Sequence, residues 1–288
     1  MKKIKIIFLL FTLFFFTLFN PSLFAKEKPV IAVSINPLKL IIKEIVRDKI
    51  KIYTIVPPGA SPHTFQLTIR NRLLLKKADT LFIIGANLEN WLDNLKKDFK
   101  KRGKLFVFSN HINDFIEKNN NINPHLWLSV KRVIKVLPFI KDKIILINPE
   151  NKDFYTSNFN IFMKKLKKID KQIYDSSLKI KNKNIVVFHP VWNYFLNDYH
   201  FHIIANIERK AGEIPTLKRL INIISLIKKN NVKIIITEPG TSLKWVKTIS
   251  DSTGTKIIIL DPLGFDKSIK NYEDLIILNF KKIYENLL

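Results

Sequence analysis

The 288-residue chain has no cysteine, and that one absence narrows its chemistry. There is no disulfide to hold a site together, so any site depends on packing. A metal site would have to use histidine and carboxylate donors. A lipid on an N-terminal cysteine is likewise not expected. Acidic residues are scarce: 24 Asp and Glu stand against 49 Lys and Arg, for a formal net charge of +25. Such an excess would ordinarily suggest nucleic acid or an anionic membrane as partner. Here the lysines are spread among Ile and Asn throughout the chain instead of forming a stripe. No RNA-binding box of aromatics and glycines and no zinc-finger spacing accompanies them, so no specific nucleic-acid partner is expected. The HExxH pattern of zinc hydrolases is missing too, as are short-period repeats and long low-complexity linkers.

What is present begins with an export signal. MKKIK supplies a positive start, Ile6 to Phe19 is uncharged and apolar, and Asn20-Pro21 with SLFA follows. The apolar core is shorter than the ~18 residues of a spanning helix. The pattern predicts a signal peptide over residues 1–25 cut after Ala25, with an uncleaved anchor as the alternative because Leu23 stands where a small residue is preferred. A periplasmic location is the expectation.

Beyond the signal, short β-rich runs alternate with helical patterns, the mark of an α/β fold with mostly parallel sheets. Strands are predicted at Val30 to Ile35, Lys51 to Val56, Thr80 to Gly85 and Lys104 to Phe108, with helices over Leu38 to Val46 and Thr68 to Ala78. Thr68 is the predicted N-cap of the second helix. From Pro149 to Ile180 the chain lacks glycine and internal proline, and Phe159, Phe162, Leu166, Ile169 and Ile173 recur at helical spacing. A helix this long can act as a stiff rod between two domains. Four more strands are predicted after it, at Asn184 to Phe188, His202 to Ile207, Lys233 to Thr237 and Lys256 to Leu260. The expected organisation is an N-terminal α/β lobe over 26–148, a connecting helix over 149–181 and a C-terminal α/β lobe over 182–288. Glu117 to Asn123 reads as a polar loop.

In open α/β sheets ligands bind beyond the carboxyl ends of the strands. His63 lies on the turn PPGASPH after the second strand, His189 directly follows NIVVF, Asp261 directly follows KIIIL, and His125 precedes a helix starting near Val130. Pro57, Pro58 and Pro62 stiffen the first of these loops, Gly59 permits its turn, and the imidazole of His63 acquires a defined direction. A metal ion requires such direction. The composition alone leaves metal ligation and scattered structural histidines equally open.

VPPGASPHTF, NPHLWLS, FHPVWNYFLNDY and the series from EPG to LDPLG, in this order, resemble the motifs of the metal-binding solute-binding proteins of ABC transporters, the cluster of ZnuA-like zinc and TroA-like or PsaA-like manganese receptors. The resemblance spans essentially the whole mature chain. It implies two α/β lobes, each with a mostly parallel sheet flanked by helices, joined by one long rigid helix, with the metal site in the cleft between them. It implies His63, His125, His189 and Asp261 as metal ligands and no catalytic residue. Histidine at the third position favours zinc over manganese or iron, and three neutral imidazoles with one carboxylate agree with that choice. The implied partners are a membrane permease and its ATPase, with the receptor a monomer. Two departures stand out. The stretch from Ser109 to Asn123 holds only His111 where zinc receptors often carry a His-rich loop, and NPH replaces the common DPH.

Other groups have simpler expectations. His200 and His202 are predicted to share one face of a strand as surface residues, and His111 to be solvated. Glu208 and Glu238 are candidates to orient an imidazole. Trp127, Trp192 and Tyr194 are expected to pack the cleft wall. Two rival functions remain: an enzyme, disfavoured because four protein ligands leave no open position on the metal, and a basic exported module for anionic polymers.

Overall fold

The computed structural model describes residues 27–118, 121–208 and 212–288; the expected signal peptide over 1–25 lies outside the described residues. The apolar runs pair as two four-stranded sheets. In the first, β1 (Val30–Val33), β2 (Lys51–Thr54), β3 (Thr80–Ile83) and β4 (Leu105–Val107) lie parallel in the order β2-β1-β3-β4. A small antiparallel pair, β5 (Glu117–Lys118) with β6 (Asn121–Ile122), occupies the segment read from the sequence as a polar loop. In the second sheet β7 (Asn184–Val187), β8 (His202–Asn206), β9 (Ile234–Thr237) and β10 (Lys256–Ile259) are again parallel, in the order β10-β9-β7-β8.

Alternation along each strand explains why both sheets are covered on both faces. Ile31 and Val33 join one core cluster while Ala32 faces another, and Ile185 and Val187 separate from Val186 in the same way. Parallel strands buried on two sides read as continuous apolar runs, as these do. The first lobe carries α1 (Asn36–Val46), α2 (Ile69–Lys77), α3 (Asp93–Lys101) and α4 (Val130–Ile147). Thr68 caps α2 as expected, its side chain accepting from the Asn71 amide while Asn71 Oδ1 accepts from the Thr68 amide. A cap of this kind contributes about 1 kcal/mol.

The long helix is α5 (Lys152–Ser177), 26 residues entered through a 3-10 turn at Pro149–Asn151. At 1.5 Å per residue it is about 39 Å long. Tyr155, Phe162, Leu166, Ile169 and Ile173 are its buried stripe, with Phe159 half-buried beside it. The second lobe adds α6 (Asn193–Asp198), α7 (Leu217–Lys229), α8 (Leu243–Thr253) and α9 (Tyr272–Leu287). The rod packs on α1 and α4 of the first lobe and on α9 of the second. One continuous core therefore holds residues of both sheets, Val33 and Val187 among them. Among the described residues no helix is long and apolar enough to cross a membrane.

Candidate metal centre

Three loops bring His63, His125 and His189 together. Ala60 N donates to Pro57 O at 3.2 Å across a turn whose third residue, Gly59, has φ of +81°. That geometry needs glycine at the third position and accepts proline at the second. The loop is pinned again where Trp91 Nε1 donates to Pro62 O at 2.8 Å, with Phe65 edge-on to the Trp91 ring. His125 sits ahead of the 3-10 turn Leu126–Leu128 and is 3% exposed. His189 ends the path out of β7, ahead of the turn Pro190–Trp192. Ring centroids lie 5.1, 5.4 and 5.2 Å apart around the triangle, and one nitrogen of each ring falls within 4.8 Å of the other two.

The hydrogen bonds decide which nitrogens face inward. Asn123 Oδ1 accepts from the His125 backbone amide at 3.0 Å, which identifies that atom as oxygen; it also lies 2.7 Å from His125 Nδ1. Nδ1 must then carry the proton, so the Nε2 lone pair is the acceptor in the 3.0 Å contact with His63 Nε2. His189 Nδ1 is 3.1 Å from Glu208 Oε2, while its buried Nε2 has no hydrogen-bond partner among the described residues. A second group that holds the outer nitrogen is how metal-binding histidines are oriented.

Burial keeps two of these rings, His63 and His125, neutral. His63 is lowered from 6.5 to about 4 by desolvation and the nearby His189, with Glu208 partly opposing. His125 is held well below its ordinary value by burial first, then by His189 and His63. A neutral imidazole is the state that a metal ion requires; with the His125 proton on Nδ1, the 3.0 Å contact is made by the proton of His63 Nε2, which has to move to Nδ1 before that nitrogen can take an ion.

Asp261 reaches the same cavity, yet it is not within the 4.8 Å group. Its Oδ1 accepts from the amides of Leu263 and Gly264 at 2.9 and 2.8 Å, and its Oδ2 from those of Phe265 and Asp266 at 2.7 and 2.8 Å. Those four donors occupy the lone-pair directions of the carboxylate. Asn279 locks the backbone of the same residue through its own oxygen and nitrogen, to Asp261 N and O.

The three rings open on a cavity of about 730 Å³. Among the described residues its wall carries Glu208, Glu213, Glu238, Asp261 and Asp266 together with Lys282, in a chain with an excess of 25 positive charges. Glu238 is raised from 4.5 to about 8 by desolvation and then by Glu208, and its buried Oε1 has no hydrogen-bond partner among the described residues. Glu208 thus touches a site imidazole, as expected of one of the two glutamates, whereas Glu238 faces the cavity.

Other expectations fare differently. His200 is not on the strand; it lies in the turn before β8 at φ of +59°, near Tyr174, while His202 Nδ1 contacts Asn184 Oδ1 at 3.3 Å. His111 is half-buried, still partly in contact with solvent but stacked between Phe106 and Phe139, with centroids 5.0 and 4.2 Å away. Trp127 and Tyr194 do more than fill space. Trp127 Nε1 donates to Pro262 O at 2.8 Å, and Tyr194 Oη donates to Asn123 O at 2.7 Å while accepting from the Ile116 amide at 3.0 Å. The sequence hinted at Asn123 only through the departure NPH.

Comparison with known proteins places the fold in a family. The chain is 25% identical over 278 residues to the zinc-binding lipoprotein AdcA of Streptococcus pneumoniae, a match covering 91% of this chain and 56% of AdcA. It therefore spans little more than half the length of that relative. It is 23% identical over 243 residues to the manganese-binding lipoprotein MntA of Halalkalibacterium halodurans, covering 83% of this chain and 81% of MntA. Among solved structures, a crystal structure of ZnuA superposes with a TM-score of 0.83 at 26% identity, over 91% of this chain and 100% of the other. A family described as "ZnuA: Zinc-uptake complex component A periplasmic", whose members are extracytoplasmic binding proteins and not enzymes, matches residues 31–286, and the chain belongs to that family.

Proposed function

We propose that the chain captures a divalent transition metal outside the cytoplasm and delivers it to an ABC transporter permease driven by its ATPase, with zinc as the physiological cargo. The observation that carries this reading is the convergence of one ring nitrogen from each of three imidazoles, two of which have their Nδ1 atoms held by Asn123 and Glu208. Three neutral imidazoles suit Zn²⁺ better than Mn²⁺, which prefers more oxygen. Manganese is the second reading, favoured by the likeness to MntA.

In this mechanism the carboxylates of the cavity wall concentrate cations at the mouth, and the imidazoles of His63, His125 and His189 take the ion. Asp261 is the proposed fourth ligand. For that role one of its oxygens has to exchange a backbone amide for the ion, since all four amides are engaged in the structure. Export through the signal peptide over 1–25, periplasmic residence and action as a monomer belong to the same proposal.

The test is competitive titration of metal-stripped protein with Zn²⁺ and with Mn²⁺ against a chelator. One-to-one zinc binding that outcompetes manganese supports the reading. Preferential manganese binding would replace zinc with manganese, and absence of binding to either ion would remove the metal function.

A further inference from the structure

Asn123 sits at a junction that neither the resemblance nor the ligand set explains. Its Oδ1 holds His125 Nδ1 at 2.7 Å, and its Nδ2 donates to Pro190 O at 2.7 Å. Pro190 follows His189 directly, so one side chain in the first lobe grips a ligand ring of its own lobe and the backbone beside the ligand of the other. Its main-chain carbonyl adds a third tie by accepting from Tyr194 Oη in α6. An aspartate at this position could accept from His125 but has no N–H for Pro190. Asparagine supplies acceptor and donor together.

Further bonds between the lobes surround this one. Trp127 Nε1 donates to Pro262 O, Tyr272 Oη donates to Trp127 O, and Asn36 Nδ2 donates to the carbonyls of Leu263 and Gly264 at 3.0 and 2.9 Å. Beneath them Arg132 reaches Asp198 at 3.1 Å. The loops bearing the ligands are thus braced across the cleft before any ion arrives.

We infer that Asn123 is a positioning residue that sets both the tautomer of His125 and the spacing between the His125 and His189 loops, so that the three-imidazole face is preassembled. This rests on the metal reading for its purpose but not for its detection. Side-chain order fixed in advance lowers the entropic cost of binding.

Two variants separate the two halves of the role. Asn123→Ala removes both bonds; Asn123→Asp keeps the acceptor and loses the donor. In metal-free protein, ¹⁵N NMR of the imidazole nitrogens is expected to show His125 protonated at Nδ1 in the wild type and in Asn123→Asp, and a mixture of tautomers in Asn123→Ala. Amide exchange at the segment 190–192 should rise in both variants. For Zn²⁺, both variants should bind roughly 10–100-fold more weakly, as when an outer partner of a metal histidine is lost. A carboxylate behind an imidazole strengthens it as a ligand, so a loss in Asn123→Asp reports on the bond to Pro190.

Zinc affinity in Asn123→Asp equal to or above the wild type, with unchanged exchange at 190–192, would overturn the bridging role. An unchanged His125 tautomer in Asn123→Ala would overturn the orienting role. Failure of the wild type to bind Zn²⁺ or Mn²⁺ would remove the metal reading, while the tautomer and exchange measurements would still decide what Asn123 does.

Discussion

In the first lobe the site is held by neutral groups: a proline-bounded turn and Trp91 direct His63, and the amide of Asn123 directs His125. In the second lobe the corresponding partners are carboxylates, with Glu208 on His189 and Asp261 on the wall beside it, next to a Glu238 that burial keeps protonated up to about pH 8. The sheets do not differ in the same way, since β2-β1-β3-β4 and β8-β7-β9-β10 are one connectivity repeated. Two copies of a topology have therefore divided the work at the loops. The first lobe sets direction, and the second adds negative charge.

The largest expected effect comes from removing a ring. His125→Ala and His189→Ala should each weaken zinc binding by more than the roughly 100-fold upper range for loss of an outer partner. Isothermal titration checks this, and retention of wild-type affinity by either variant would remove that ring from the site. Next comes the charge of the second lobe. Glu208→Gln preserves an acceptor for His189 Nδ1 yet deletes the negative charge, and zinc affinity should fall by roughly 10–100-fold. If Glu208→Gln binds as the wild type does, geometry alone matters in both lobes and the contrast between them disappears.

The lobes should also bend the pH profile of the metal-free protein in opposite directions. Between about 4 and 6.5 the unfolded chain binds a proton that folded His63 refuses, so stability falls as pH drops through that window. Between 4.5 and about 8 folded Glu238 keeps a proton that the unfolded chain releases, so its contribution to stability falls as pH rises. Urea midpoints across pH 4 to 8 should show the acid limb flattened in His63→Asn and the alkaline limb flattened in Glu238→Gln. A Glu238→Gln profile parallel to that of the wild type would refute the assignment to Glu238. Low His63 basicity also means that proton competition at this ring begins near pH 4, below the ordinary histidine range.

The smallest effect belongs to the turn. Gly59 has φ of +81° and nothing within 4 Å of an added Cβ, so Gly59→Ala meets backbone strain without crowding. A cost of about 1 kcal/mol is expected, read as a lowered thermal midpoint, with His63 still able to reach the ion.

Much of the fold was legible because parallel strands covered on both faces are written as apolar runs. The strands appear where those runs predicted, trimmed at several carboxyl ends where the chain leaves the sheet toward the site: Ser34 and Ile35 follow β1, and Ile55 and Val56 follow β2. The helical stripe from Phe162 to Ile173 was equally plain. The pair β5 and β6 was not, since two-residue strands in an Asn-rich stretch carry no periodicity. His200 lies two residues before β8, in a turn at positive φ that breaks the alternation with His202.

The sequence by itself determined the α/β class, the long rod, the absence of sulfur ligands and the loops that carry histidine, because these follow from composition and local period. Only the tertiary structure decided which nitrogens face inward, that Asp261 is engaged by four backbone amides, and that Asn123 joins His125 to the backbone at Pro190. Those outcomes depend on hydrogen bonds between groups brought together by packing, often from distant parts of the chain, and a partner's direction in space has no counterpart in residue order.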